Sequence, residues 1–221
     1  MSVLIFIDTA EGHVKKASLE ALTYGAKVAE QLGTTAEGVV LGTVQEELAA
    51  LGKYGVKKIH HVNTNALDHQ DAQLYTKVIA QVATASGATV IVFSNNLSGK
   101  AITPRLSVRL KAGLVSGAVG LPDTSGGFVV KKNVFSGKAF ANISVNTGIK
   151  IIALNPNAYQ TISGEGTAEV VPFTATVDPS GVKLVSVSKA SGEVPLTEAE
   201  IVVSAGRGMK GPENWGIVEE L

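Results

Sequence analysis

The stretch Thr89-Val90-Ile91-Val92-Phe93-Ser94 decides the fold. It is rich in β-branched and aromatic side chains, with no charge and no polar alternation, and so reads as a strand buried on both faces. Such a strand needs cover above and below. Upstream, residues 70–86 place Leu74, Val78, Ile79 and Val82 along one side of a predicted helix. Downstream, Asn95-Asn96-Leu97-Ser98-Gly99-Lys100 leads into a second predicted helix that carries Leu106, Leu110 and Leu114, with Pro104 in its first turn.

The same alternation continues outward. Residues 3–7 form an apolar run closed by Asp8, and residues 16–32 set Leu19, Leu22, Ala26 and Ala29 at helical spacing before Gly33. Residues 36–41 and 57–62 read as strands, with a short helix around 44–51 between them. Beyond Leu121-Pro122 the pattern changes to short strand-like runs at 128–134, 138–145 and 150–154. Two more follow at 169–176 and 183–189, joined through Asp178-Pro179-Ser180-Gly181, turn chemistry that favours antiparallel pairing for several of them. The expected architecture is a three-layer α/β/α, Rossmann-like domain with a mostly parallel sheet plus a small antiparallel β extension.

That domain is expected to occupy residues 1–188, followed by a polar linker over 189–200 that carries Gly192 and Pro195. Residues 201–221 then read as a strand at 201–204, a glycine turn and a helix start. These elements are too few to bury a core of their own, as if the chain stopped inside a second domain.

Composition narrows the function classes. The 221 residues are 45% hydrophobic, and 19 basic residues balance 19 acidic ones. A net charge of +0 gives no long-range field for nucleic acid or an anionic membrane. The absence of cysteine removes disulfides, thiolate metal sites and thiol catalysis. Met1 to Asp8 has no basic leader, and no stretch reaches the roughly 18 apolar residues of a membrane span. A cytoplasmic location is the expectation, or a mitochondrial matrix if the chain is a mature organellar one.

Ser204-Ala205-Gly206-Arg207-Gly208-Met209-Lys210-Gly211 lies between a predicted strand and a helix start. There, glycines let a backbone approach a phosphate and Arg207 offers its planar fork. The alternative is a plain glycine turn at a boundary; the pattern is not a Walker A motif. Asp8, Asn95 and Asn96 sit at carboxyl ends of predicted parallel strands, where open α/β sheets place ligands, yet they also suit ordinary turns and caps, which is the favoured reading. His60 and His61 are adjacent, so their rings face opposite sides of a strand, and no metal is expected. Ser136 and Ser163 lie near glycines without a nucleophile elbow. Lys100, Arg105, Arg109 and Lys111 form a basic cluster, a solvated helix face or a docking surface.

The segments together resemble the α-subunit of electron transfer flavoprotein. The resemblance rests on Thr103-Pro104-Arg105-Leu106 continuing to Arg109-Leu110-Lys111-Ala112-Gly113-Leu114-Val115-Ser116, and on Phe135-Ser136-Gly137-Lys138-Ala139. It rests also on Lys183-Leu184-Val185-Ser186-Val187-Ser188 and on Val202-Val203-Ser204-Ala205-Gly206-Arg207-Gly208-Met209-Lys210. It implies a heterodimer with a β-subunit that carries FAD. Such a protein passes electrons from acyl-CoA or other dehydrogenases to a quinone oxidoreductase or related acceptor. It also implies that the first domain is a scaffold packing on the β-subunit, while FAD is held mostly by the second. Arg207 matches the family arginine near the FAD diphosphate, with Gly206 and Gly208 shaping its turn. No residue is expected to be catalytic, since the flavin does the redox chemistry, and this chain alone is expected not to retain FAD. Two rivals remain: a stand-alone nucleotide-binding α/β protein using the strand ends near Asp8 and Asn95, and a non-catalytic interaction module.

Overall fold

Val3, Ile5 and Ile7 face one side of the central sheet, and Leu4 and Phe6 face the other. All five are buried, so strand β1 (Ser2–Ile7) needs a layer on each face. Helix α1 (Lys16–Gln31) supplies the first through Ala21, Leu22, Tyr24, Val28 and Ala29. Helices α2 (Ala72–Ala85) and α3 (Leu97–Leu110) supply the second through Leu74, Val78, Ile79, Ile102 and Leu106. The decisive stretch behaves likewise in β6 (Ala88–Ser94): Val90 and Val92 join the α1 side, and Ile91 and Phe93 join the α2/α3 side. Each large side chain so buried contributes roughly 1.5–3 kcal/mol.

The computed structural model describes residues 1–186, 196, 199 and 201–221. They divide into two compact units, Met1–Val185 and Ser186–Leu221. The first holds β4 (Thr35–Leu41), β5 (Lys58–Val62), β7 (Gly113–Ala118), β8 (Val129–Val134), β9 (Ala139–Ser144), β10 (Lys150–Leu154) and β11 (Glu169–Pro172), beside a two-stranded ribbon of β2 (Thr9–Ala10) and β3 (His13–Val14). The nine-stranded sheet runs β11-β5-β4-β1-β6-β10-β7-β8-β9. It is parallel except where β8 and β9 join antiparallel at one edge. The expected three-layer α/β fold with a small antiparallel extension is what the chain adopts.

Several expectations need correction. Lys111 takes the left-handed conformation at φ 50 and ends α3, so Leu114 belongs to β7 rather than to the helix. Pro104 lies in the helix interior, because α3 already starts at Leu97 under the Asn96 cap. Residues 150–154 are part of the parallel core, not of the extension. Ile151, Ile152, Ala153 and Leu154 are buried on both faces between β6 and β7. β11 pairs parallel to β5, since the chain crosses over from β10 inside the sheet, past a 3-10 turn, Leu48–Tyr54, that stands where a short helix around 44–51 was expected. Residues 201–204 form no strand, as no described strand pairs with them. Of 183–189, residues 183–186 are not a strand and the rest lie outside the described residues. The expected linker 189–200 also lies outside them, apart from Leu196 and Ala199.

After β11 the chain crosses α2 as a strap. Thr176 exchanges two hydrogen bonds with the Gln81 amide at 2.8 and 2.9 Å. Lys77 Nζ then donates to Asp178 at 2.7 Å, and Ser180 Oγ donates to Asp71 at 2.6 Å.

Candidate functional site

The chain leaves β1 toward β4 on one side and later returns to place β6 on the other. The crevice beyond the carboxyl ends of β1 and β6 is therefore the switch point of the sheet, where doubly wound folds hold ligands. Asp8 closes β1 there and is 6% exposed. Its Oδ2 accepts from Lys15 Nζ at 2.9 Å and from Asn96 Nδ2 at 2.8 Å. Ser18 Oγ bridges the Asp8 backbone, donating to its carbonyl and accepting from its N–H, both at 2.9 Å.

Asn96 has a second duty. Its Oδ1 accepts from Gly99 N at 2.9 Å and so caps α3. Gly99 is needed because a Cβ at that position would run into the Ser94 carbonyl. The neighbouring Asn95 donates from Nδ2 to Asn155 Oδ1 at 2.8 Å, tying the end of β6 to the end of β10.

A site for a nucleotide phosphate needs unclaimed N–H groups at the helix start. Here the Asn96 cap claims one, and the Asp8 carboxylate beside it is already paired with Lys15. The structure thus brings Asp8 and Asn96 together in a polar network with Lys15 and Ser18, while Ser94 Oγ and Asn95 Oδ1 at the end of β6 are buried without a hydrogen-bond partner. Sequence reasoning missed Lys15 and Asn155. The signal for Asn155 was present, because it follows the apolar run of β10 as Asn95 follows that of β6.

Arg207, Gly206 and Gly208 lie in the second unit and are all exposed. Arg207 opens a 3-10 turn, Arg207–Met209, in which Met209 N donates to the Gly206 carbonyl at 3.0 Å and Lys210 N to the Arg207 carbonyl at 3.1 Å. A Cβ at Gly206 or Gly208 would meet nothing within 4 Å, so the turn is open to an approaching group. Two cations on a glycine turn suit the diphosphate arm of a dinucleotide. No described residue from 196 onward is buried, so these residues offer no wall for an isoalloxazine or adenine.

His60 and His61 have structural partners. His60 Nε2 lies 2.6 Å from Glu37 Oε2 on the α2/α3 side, and His61 Nε2 lies 2.9 Å from the Gly42 carbonyl. Lys100, Arg105, Arg109 and Lys111 are exposed along and just after α3.

The two sheet edges differ. β11 carries Glu169 and Pro172, a charge and a residue without an N–H, which discourage pairing with another chain. β9 reads Ala-Phe-Ala-Asn-Ile-Ser, with neither charge nor proline. Around it Phe135 is 80% exposed, Phe140 60% and Ile143 37%.

The first unit is thus a doubly wound α/β domain with Asp8, Lys15 and Asn96 at its switch point and an antiparallel strand, β9, at one edge. The comparisons place it: the chain belongs to the electron transfer flavoprotein family, whose domain model matches residues 3–178. It is 28% identical to the electron transfer flavoprotein subunit alpha of Bacillus subtilis, over 99% of this chain and 68% of that protein. It is 27% identical to the subunit alpha of Syntrophomonas wolfei, over 98% and 68%. Protein FixB of Clostridium saccharobutylicum is 26% identical over 99% and 68%. The similarity is to the α-subunits of the family. No helix among the described residues is long and apolar enough to cross a membrane.

Proposed function

We propose that this chain works as the α-subunit of an electron transfer flavoprotein, with its first unit as the scaffold on which a β-subunit docks. The observation that carries this reading is the uncharged, apolar β9 edge, the kind of strand that completes itself by pairing with another chain. The assembled protein carries FAD, which accepts electrons from acyl-CoA or other dehydrogenases and passes them to a quinone oxidoreductase. Arg207, on the turn shaped by Gly206 and Gly208, holds the FAD diphosphate. The protein supplies binding and electrostatics, and the flavin supplies the chemistry. A stand-alone nucleotide-binding role is disfavoured by the Asn96 cap, which already claims an N–H at the start of α3.

The test is co-expression with the β-subunit, reading assembly by sedimentation and bound flavin by visible absorption after desalting. Phe140→Lys/Ile143→Lys is expected to abolish assembly while leaving the thermal unfolding of the isolated chain unchanged. Wild-type assembly by this variant removes the β9 edge from the interface. In a flavin-bearing heterodimer that includes this chain, Arg207→Ala is expected to weaken FAD retention without loosening the subunits. Unchanged retention removes Arg207 from the site.

A further inference from the structure

The net charge of +0 conceals a separation along the chain. Residues 72–164 carry nine lysines and arginines against a single carboxylate, Asp123, and the rest of the chain is correspondingly acidic. This basic stretch contains α2, α3 and β6 to β10.

Its most organised part is the outer face of α3. At 100° per residue, Leu97, Ala101, Pro104 and Val108 fall on one line, opposite the inward Ile102 and Leu106. Leu97 is 84% exposed and Val108 80%, about 16 Å apart along the axis. Lys100 and Lys111 flank this line on one side, with Arg105 and Arg109 on the other. No acidic residue occurs from 97 to 111, and among the described residues none forms an ion pair with these four cations. Arg109 acts at a distance on Asp178, which Lys77 already holds. Pro104, having no N–H, also leaves the Lys100 carbonyl without its helical donor on this solvent-facing side.

We propose that the outer face of α3 is a docking surface for a separately folded protein with an acidic contact surface. An apolar centre rimmed by cations on two sides has the anatomy of a protein interface, and the rim charges would steer an acidic partner and set its register. Other anionic partners fit less well. A nucleic acid would find no aromatic on α3 to stack a base. A membrane would find only Leu97 and Val108 to insert, on a helix whose other apolar face is committed to the sheet. This surface shares no residue with the β9 edge and does not depend on the proposed subunit assembly.

The test uses the full chain and a synthetic amphipathic helical peptide with leucines on one stripe flanked by glutamates. Binding is followed by amide chemical shifts. We expect shifts confined to residues 97–111, an affinity that falls with added salt, and a loss of about tenfold or more in both Leu97→Ser/Val108→Ser and Arg105→Glu/Arg109→Glu. Affinity unchanged by Leu97→Ser/Val108→Ser, or shifts elsewhere on the chain, overturns the proposal. So does a wild-type chain that binds phosphatidylglycerol vesicles or heparin through the same arginines but not the peptide, which would make the face a general polyanion surface. Sedimentation without peptide checks for a second copy as the occupant; a salt-sensitive dimer lost in Arg105→Glu/Arg109→Glu also overturns the proposal.

Discussion

Asn96 donates to the Asp8 carboxylate at 2.8 Å, joining the ends of two adjacent parallel strands from residues 88 positions apart. The same side chain caps α3, so one amide serves two structural ends at once. Asn96→Ala should cost about 1–3 kcal/mol, a lost cap plus a buried carboxylate with one donor fewer. Asn96→Asp keeps the capping oxygen but sets a second carboxylate against Asp8. At neutral pH it should be the less stable of the two in urea unfolding; equal midpoints would show that the Asp8 contact carries no weight.

Gly99 separates two effects of opposite sign. Helix propensity alone gives Gly99→Ala a gain of about 1 kcal/mol. The tight turn from β6 into α3 instead leaves no room for a Cβ against the Ser94 carbonyl, and that clash involves rigid backbone. Gly99→Ala should destabilise by about 3 kcal/mol or fail to fold. A variant as stable as the parent would mean that the turn relaxes freely.

The strap is sensitive to acid. The Ser180 hydroxyl, with backbone N–H groups of Gln73 and Leu74, holds the Asp71 carboxyl below the ordinary carboxylate range, and Lys77 does the same for Asp178. Groups whose pKa is depressed by folding contribute stability above the unfolded value, about 3.9, and lose it as pH falls through the folded one. Pepsin cleavage within 173–182 should therefore rise at the acid end. Asp71→Asn should move that onset toward neutral pH, and an unchanged onset would count against the tether.

Burial pushes the Tyr24 and Tyr75 phenols well above their usual value, with neighbouring negative charge adding to it. Tyr24 donates to the Gly120 carbonyl at 2.9 Å and Tyr75 to the Leu67 carbonyl at 2.6 Å. A raised pKa in an acid means that the unfolded chain gives up its proton first. Stability should then fall above about pH 10, by up to ~1.4 kcal/mol per pH unit for each phenol. Tyrosinate absorbance should show a late step coincident with loss of circular dichroism. Tyr24→Phe/Tyr75→Phe should remove it.

Much of the fold was legible because its strands carry unmistakable runs: residues 3–7 and 89–94 are apolar on both faces, and only a covered parallel sheet has use for that. The errors arose where one residue's backbone choice outweighed a pattern. Lys111 in the left-handed region ends α3, and nothing in Leu110-Lys111-Ala112 distinguishes that stop from a continuing helix. The partners of 150–154 and 169–172 were invisible for another reason, since pairing is decided by topology rather than by composition. At the candidate site, Asp8 and Asn96 could be placed at strand ends from the sequence. Their mutual contact, and the contribution of Lys15, belong to the three-dimensional arrangement alone.

The position of β10 has a consequence for biosynthesis. β7 reaches the parallel sheet only through β10, which is made more than thirty residues later. A growing chain can assemble β1, β4, β5 and β6 with their helices early, yet it must hold β7 and the β8–β9 hairpin in waiting until residue 154 emerges. During that interval the apolar β9 edge has no finished sheet behind it, and this domain is then at its most exposed to mispairing on the ribosome.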